Sequence, residues 1–301
     1  MMLKIKLGKI KMRNPLMLAS GILCNGSLLK RAATEGGAGA VVTKSLTKEV
    51  REGYHTPVVV GVEGGLINAV GLANPGYKAY LAEDLPLAKK GRAPVIVSVA
   101  GRNVEEFEEI SVAAAEAGAD AVELNLSCPH VNKHGMEIGA DPATVAKIVE
   151  GVREALEIPV YVKLGLSDRF TESAVSAQDA GADAVVAINT VKAMAIDVEA
   201  RKPVLANIYG GLSGPAIHPI ALRCVFELYQ KLSIPIIGCG GVSDWRTALD
   251  FLMAGASAVQ VGSTLAVKGI GIFREIEAGI KNYLVRNQFR SVEEVIGIAH
   301  R

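Results

Sequence analysis

The sequence predicts an α/β fold, a (β/α)8 barrel, on three observations. Four segments share one pattern: residues 37–41 (GAGAV), 117–122 (AGADAV), 180–185 (AGADAV) and 254–259 (AGASAV). Each closes a helical stretch on Gly, which suits the left-handed residue after a helix, and then enters an apolar run. Between them lie four short apolar runs that all open on Pro, at residues 15–19, 94–99, 159–164 and 235–238. Helical patterns separate most of these runs, as at 104–117, 143–156 and 245–253. Eight short strands alternating with helices read as a parallel barrel.

The elements follow in order. Lys4, Lys6, Lys9, Lys11 and Arg13 alternate with Leu3, Ile5, Leu7, Ile10 and Met12 around Gly8. That is the pattern of an N-terminal β-hairpin with one wet face. Strands one to eight then end, in turn, at Ser20, Lys44, Ser98, Asn125, Lys163, Asn189, Gly240 and Gly262. Every one of these is polar or Gly, and in this barrel chemistry sits at the carboxyl ends of the strands. The densest end is 121–130 (AVELNLSCPH), where Val122, Leu124 and Leu126 alternate with Glu123 and Asn125. Asn125, Ser127, Cys128 and His130 crowd its exit. Two long excursions, 46–90 after strand two and 190–216 after strand six, are expected to be inserted substrate-site loops.

The ends of strands seven (238–242, GCGGV) and eight (261–264, VGST) carry the glycines that let backbone N–H groups approach an anion. The loops after these strands are where barrels hold phosphate. Residues 210–214 (GGLSG) have the wrong spacing for a dinucleotide fingerprint and follow no clear strand. Lys163 faces the same mouth, and a Lys beside the N1–C2=O edge of an isoalloxazine would stabilise charge on the reduced ring. A phosphate clamp with such a Lys suits FMN.

Composition excludes other classes. The chain has 301 residues, 50% hydrophobic and 21% charged, with net charge +1. That describes a globular protein and makes no case for nucleic acid. The run 15–24 is too short to span a membrane and lacks a signal-peptide layout. Cys24, Cys128, Cys224 and Cys239 show no CxxC spacing, and His55, His134, His218 and His300 no metal spacing, so no metal site is expected. The expectation is a single domain over residues 1–301 in a reducing cytoplasm.

Several motifs together resemble the dihydroorotate dehydrogenase family, specifically its class 1B catalytic subunits, over nearly the whole chain. They are 43–45 (TKS), 68–72 (NAVGL), 74–76 (NPG), 123–129 (ELNLSCP), 188–190 (INT), 201–206 (RKPVLA), 210–215 (GGLSGP), Gly240-Gly241 and Gly262-Ser263. The resemblance implies FMN and oxidation of dihydroorotate to orotate in pyrimidine synthesis. Cys128 matches the catalytic base. Ser20, Lys44, Ser45, Ser98, Asn125, Lys163, Ile188, Gly214, Gly240, Gly241, Gly262 and Ser263 fall at cofactor-binding positions. Lys44, Asn68, Ala69, Val70, Gly71, Leu72, Asn125, Asn189 and Thr190 match the substrate contacts. Two positions depart: His130 and Ser98 stand where many members have Asn. The resemblance further implies a homodimer and a partner subunit carrying FAD and a 2Fe–2S cluster, through which NAD+ is reduced.

The residue types fit that chemistry. A thiol with an ordinary pKa of roughly 8.5 can be tuned to act as a base. Asn68, Asn125 and Asn189 each offer a donor and an acceptor to the alternating N–H and C=O groups of a pyrimidine dione. Two other readings stand beside this one. The first is reduction of uracil-type bases, as in dihydropyrimidine dehydrogenase, which also reads Cys-Pro-His. The second is a flavin-binding electron-transfer subunit without catalysis, which would need neither base nor pyrimidine reader.

Overall fold

A computed structural model describes residues 2–127 and 138–301. Cys128 and His130 lie outside the described residues. Eight parallel strands close a barrel: β1 (Leu16–Leu18), β2 (Ala40–Val42), β3 (Val95–Val99), β4 (Ala121–Asn125), β5 (Val160–Leu164), β6 (Ala184–Ala187), β7 (Ile236–Cys239) and β8 (Ala258–Val261). They run in sequence order around the barrel, and β8 pairs with β1. All eight expected strands are present.

The two sequence patterns have one physical origin. Pro opens every odd strand and the Gly-Ala pattern leads into every even one, so the two kinds of entry lie side by side. The carbonyls of Pro15, Pro94, Pro159 and Pro235 accept from Val259, Val41, Val122 and Val185 of the neighbouring even strands. The missing proline N–H costs nothing where the ladder begins. In the AGADAV repeats the Asp closes the gap: Asp120 accepts from the N–H of Val95 and Asp183 from that of Val160. Gly37, Gly118, Gly181 and Gly255 all take the left-handed conformation, with φ from 91° to 112°.

Helices cover the barrel: α1 (Gly26–Arg31), α2 (Tyr77–Lys89), α3 (Val104–Glu116), α4 (Pro142–Ala155), α5 (Phe170–Asp179), α6 (His218–Tyr229), α7 (Trp245–Met253), α8 (Leu265–Lys268) and α9 (Ile272–Arg286). Asn103, Asp141 and Asp244 cap α3, α4 and α7. Strands Ile5–Leu7 and Ile10–Met12 form the expected hairpin, with Lys6 and Lys11 exposed and the apolar residues buried. It lies against the amino-terminal end of the barrel, where the hydroxyl of Tyr161 donates to the Leu7 carbonyl at 3.4 Å.

The excursions are more ordered than loops. Four antiparallel segments make a second sheet in the order Val191–Ala193, Gly210–Ser213, Gly65–Asn68, Val59–Val62. The GGLSG segment is therefore itself a strand, held between one strand from each excursion. Ile67, Ala69 and Leu205 form a small apolar core under this sheet. The first excursion also contains α2, where Pro86 inside the helix hides the helical signal. No helix among the described residues is long and apolar enough to cross a membrane.

Candidate active site

The carboxyl ends of the strands carry a continuous hydrogen-bonded belt. Ser45, just beyond β2, meets Ser20 of the β1 end at 3.4 Å and Ser98 of β3 at 2.9 Å. Asn125 of β4 donates to Ser45 at 3.0 Å and accepts from Ser127 at 2.7 Å. Asn189, after β6, donates to Asn125 at 3.3 Å and also to Ser127. Five strand ends are thereby tied together through side chains alone. Ser98 is wholly buried, so its hydroxyl fixes Ser45 from below. Lys44, beside Ser45, is also buried, and Thr43 accepts from the Ser98 N–H.

The second sheet closes over one side of this belt. Its register sets Gly211 opposite Asn68, and Asn68 donates to the Gly211 carbonyl at 3.3 Å. A Cβ on Gly211 would collide with the side chain of Thr190, so only Gly lets this strand pass. Asn68 and Thr190 are 122 residues apart in sequence and meet across one glycine. Residues 69–72 continue from that strand. Ala69 is buried, Val70 accepts from the Tyr54 N–H, and Gly71 lies so close to Tyr54 that a Cβ would come within 2.9 Å of it. Leu72 takes a positive φ of 57°.

Glycines make a cradle that begins where the Gly210–Ser213 strand of the second sheet ends. Gly214, Gly240 and Gly241 have φ of 114°, 138° and 71°. A Cβ on Gly241 would lie 2.7 Å from the Gly214 carbonyl oxygen, and one on Gly240 2.6 Å from Ala221. The excursion after β6 and the loop after β7 therefore touch backbone to backbone. Gly262 and Ser263 follow β8, and Thr264 donates to the Val242 carbonyl at 2.7 Å, joining the last two loops. Ile188 is buried, and its N–H donates to the Cys239 carbonyl.

Below the belt lies a buried polar cluster. Lys163 of β5 donates to Gln260 of β8 at 2.7 Å, and Gln260 donates to Glu123 of β4 at 2.5 Å. Lys163 and Glu123 form an ion pair at 3.7 Å. β5 and β8 are not ladder neighbours, so this contact crosses the barrel interior. Burial opposes the charge on Lys163, but Cys239 and Glu123 outweigh it, and its pKa lies above the ordinary lysine value. Burial also pushes the Cys239 thiol up, with Lys163 pulling the other way and Glu123 adding to the rise. Glu123 is the carboxylate in ion-pair contact with this ammonium.

The expected site residues among those described lie at the carboxyl ends of the barrel strands, in the second sheet, or in the segments that directly follow its Gly65–Asn68 and Gly210–Ser213 strands. Reasoning from the sequence missed Glu123 and Gln260, and it missed His218, which sits against the Gly240 carbonyl at 3.3 Å and Asp250 at 3.2 Å. A signal existed for the first two. Both strands of a helix-covered barrel residue's neighbourhood are apolar, so a Glu or Gln inside such a strand has to be buried.

The donor set and cradle fit a flavin mononucleotide: glycine backbone packed too tightly for a Cβ at the phosphate-binding end, and a buried ammonium beneath the polar belt. A family model for dihydroorotate dehydrogenase matches residues 2–284. The chain is 50% identical to the protein of Pyrococcus furiosus named dihydroorotate dehydrogenase B (NAD(+)), catalytic subunit, over 100% of both chains. Proteins of the same name are 47% identical in Thermoplasma volcanium, over 97% of both, and 45% identical in Methanosarcina acetivorans, over 97% of this chain and 94% of the relative. The chain belongs to the dihydroorotate dehydrogenase family.

Proposed function

We propose that this protein is the catalytic subunit of an NAD+-linked dihydroorotate dehydrogenase, oxidising dihydroorotate to orotate in pyrimidine biosynthesis. The observation that carries the reading is the pairing of Asn125 with Asn189 at the strand ends, with Lys163 opposite Asn125 in the barrel register and Asn68 and Thr190 meeting across Gly211. Three amides already oriented by their own hydrogen bonds suit the alternating donors and acceptors of a pyrimidine dione. An analogue lacking that edge would leave them unpaired.

FMN would be held by Ser20, Lys44, Ser45, Ser98, Asn125, Lys163 and Ile188 around the ring. Gly214, Gly240, Gly241, Gly262 and Ser263 would hold its phosphate. Bound there, it supplies the hydride acceptor. Lys44 and the segment Asn68 to Leu72 engage the substrate with Asn125, Asn189 and Thr190. Lys44 is the cation for the substrate carboxylate, and its burial strengthens that attraction. The sheet that carries Asn68 excludes water from one flank. Cys128 takes the proton from substrate C5 on its sulfur.

The relatives' names make each of them one subunit of a larger enzyme. We place this chain likewise with an electron-transfer partner carrying FAD and a 2Fe–2S cluster, and in a homodimer within a reducing cytoplasm. Met194, Ile196, Val198, Ile208 and Tyr209 on the second excursion are exposed, an apolar face of the kind that interfaces cover. The test is turnover of the FMN-loaded chain with a soluble dye as electron acceptor. Orotate should form from dihydroorotate, and dihydrouracil should not be oxidised. The reverse preference would replace this reading with that of a uracil-type reductase.

A further inference from the structure

The cluster beneath the belt is more than packing. Glu123 is fully buried, Gln260 is 1% exposed and Lys163 5%. Removing an ion pair from water costs several kcal/mol per ion, and apolar residues would fill the same space at no such cost. The orientation of Gln260 is dictated by its neighbours. A lysine only donates, so it faces the amide oxygen. An ionised carboxylate only accepts, so it faces the amide nitrogen. Glu123 Oε1 has no hydrogen-bond partner among the described residues and stands 3.7 Å from the ammonium. Of the three N–H donors of Lys163, one goes to Gln260 and one faces Glu123, leaving a third for a ligand above.

We infer that Glu123 and Gln260 are positioning residues that keep Lys163 charged and aimed at the flavin. This rests on the FMN reading given above. Burial alone drives a lysine toward the neutral amine, as it opposes the charge here. Glu123 from β4 and Cys239 from β7 are the titratable groups that act on Lys163, and Glu123 is the one in ion-pair contact with it, directly at 3.7 Å and through Gln260. Glu123 is therefore what keeps the ammonium available to stabilise negative charge on the reduced ring. Gln260 transmits the constraint: it bridges the two charges and prevents Lys163 from folding down onto Glu123.

The test is the midpoint potential of the bound flavin against pH in wild type, Glu123→Gln, Lys163→Met and the double variant. In acid, Glu123→Gln should match wild type, because Lys163 is protonated in both. As pH rises it should fall toward the more negative potential of Lys163→Met. On the Lys163→Met background, Glu123→Gln should add no further shift. A Glu123→Gln curve parallel to wild type at every pH, or an equal shift in both backgrounds, overturns the inference. Unfolding of the flavin-free chain tests the pairing itself, even where Glu123→Gln fails to fold. Lys163→Met leaves Glu123 buried without its ion partner, and adding Glu123→Gln should restore its folding equilibrium by about a hundredfold or more. If the double variant is no more stable than Lys163→Met, the pairing is refuted. A chain that passes this test and binds no FMN refutes the flavin reading and not the pair.

Discussion

Replacing Asn125 by Ala removes the centre of the belt. Its amide makes three hydrogen bonds: to Ser45 at 3.0 Å, from Ser127 at 2.7 Å and from Asn189 at 3.3 Å. The losses are partly compensated, since Ser45 keeps Ser98, and Ser127 keeps Asn189. At about 1 kcal/mol for each bond, the flavin-free chain should lose about 2–3 kcal/mol of stability. With an unfolding entropy of about 2.1 cal/mol/K per residue, that lowers the melting temperature by about 4 °C. Orotate affinity should fall as well, by about tenfold to a hundredfold, because the amide that would read the pyrimidine is gone and Asn189 is freed to turn. Ser98→Ala is the control. Ser98 bonds Ser45 and makes no hydrogen bond to Asn125 or Asn189, so its loss should cost about 1 kcal/mol of stability and leave orotate affinity within a factor of about three. Orotate titration followed by flavin absorbance, beside thermal unfolding, measures both quantities. If Asn125→Ala matches wild type in affinity, or if Ser98→Ala loses affinity to the same degree, the belt is not the pyrimidine reader.

Three further outcomes are expected. Gly241→Ala forces a Cβ to 2.7 Å from the Gly214 carbonyl at a φ of 71°, so FMN affinity measured by fluorescence quenching should drop at least about tenfold while the circular dichroism spectrum is kept. Cys128→Ala should still bind FMN and orotate but reduce its flavin about two to four powers of ten more slowly, and a wild-type rate in anaerobic stopped flow would remove Cys128 as the base. Asp244 caps α7. Burial pushes its carboxyl up, but the Thr247 amide and hydroxyl and the Arg246 amide outweigh it, so its folded pKa lies below the ordinary 3.8. Its contribution is therefore complete above that ordinary value and disappears as pH falls through the lowered one. Asp244→Ala should cost about 1 kcal/mol at neutral pH, and urea unfolding below about pH 4 should show a smaller acid loss in the variant than in wild type.

The barrel was readable because its strand entries repeat. Pro with an apolar run, and Gly-Ala with another, are local signals, and the hydrogen bonds from Val41, Val122, Val185 and Val259 to the four prolines show why they alternate. The second sheet was not readable. Gly210 to Ser213 has neither side-chain alternation nor β-branched residues, and it becomes a strand only because both excursions flank it. Helix α2 was hidden by Pro86. Site residues at strand ends were legible one by one as polar groups leaving an apolar run. Their joining was not, since Asn68 meets Thr190, and Lys163 meets Gln260, through pairings that no local pattern encodes. Alternation of Glu123 and Asn125 with apolar residues shows the strand but not the burial of Glu123, because helices cover the outside of the barrel and side chains fill its inside.

The most direct test mixes the FMN-loaded protein with dihydroorotate in the absence of oxygen and follows the yellow absorbance of the oxidised flavin. The account predicts that the colour bleaches at a rate saturating with dihydroorotate, that one orotate forms for each flavin reduced, and that NAD+ restores the colour only when the electron-transfer partner is present. A flavin that stays yellow under dihydroorotate, yet bleaches with a chemical reductant, would contradict it.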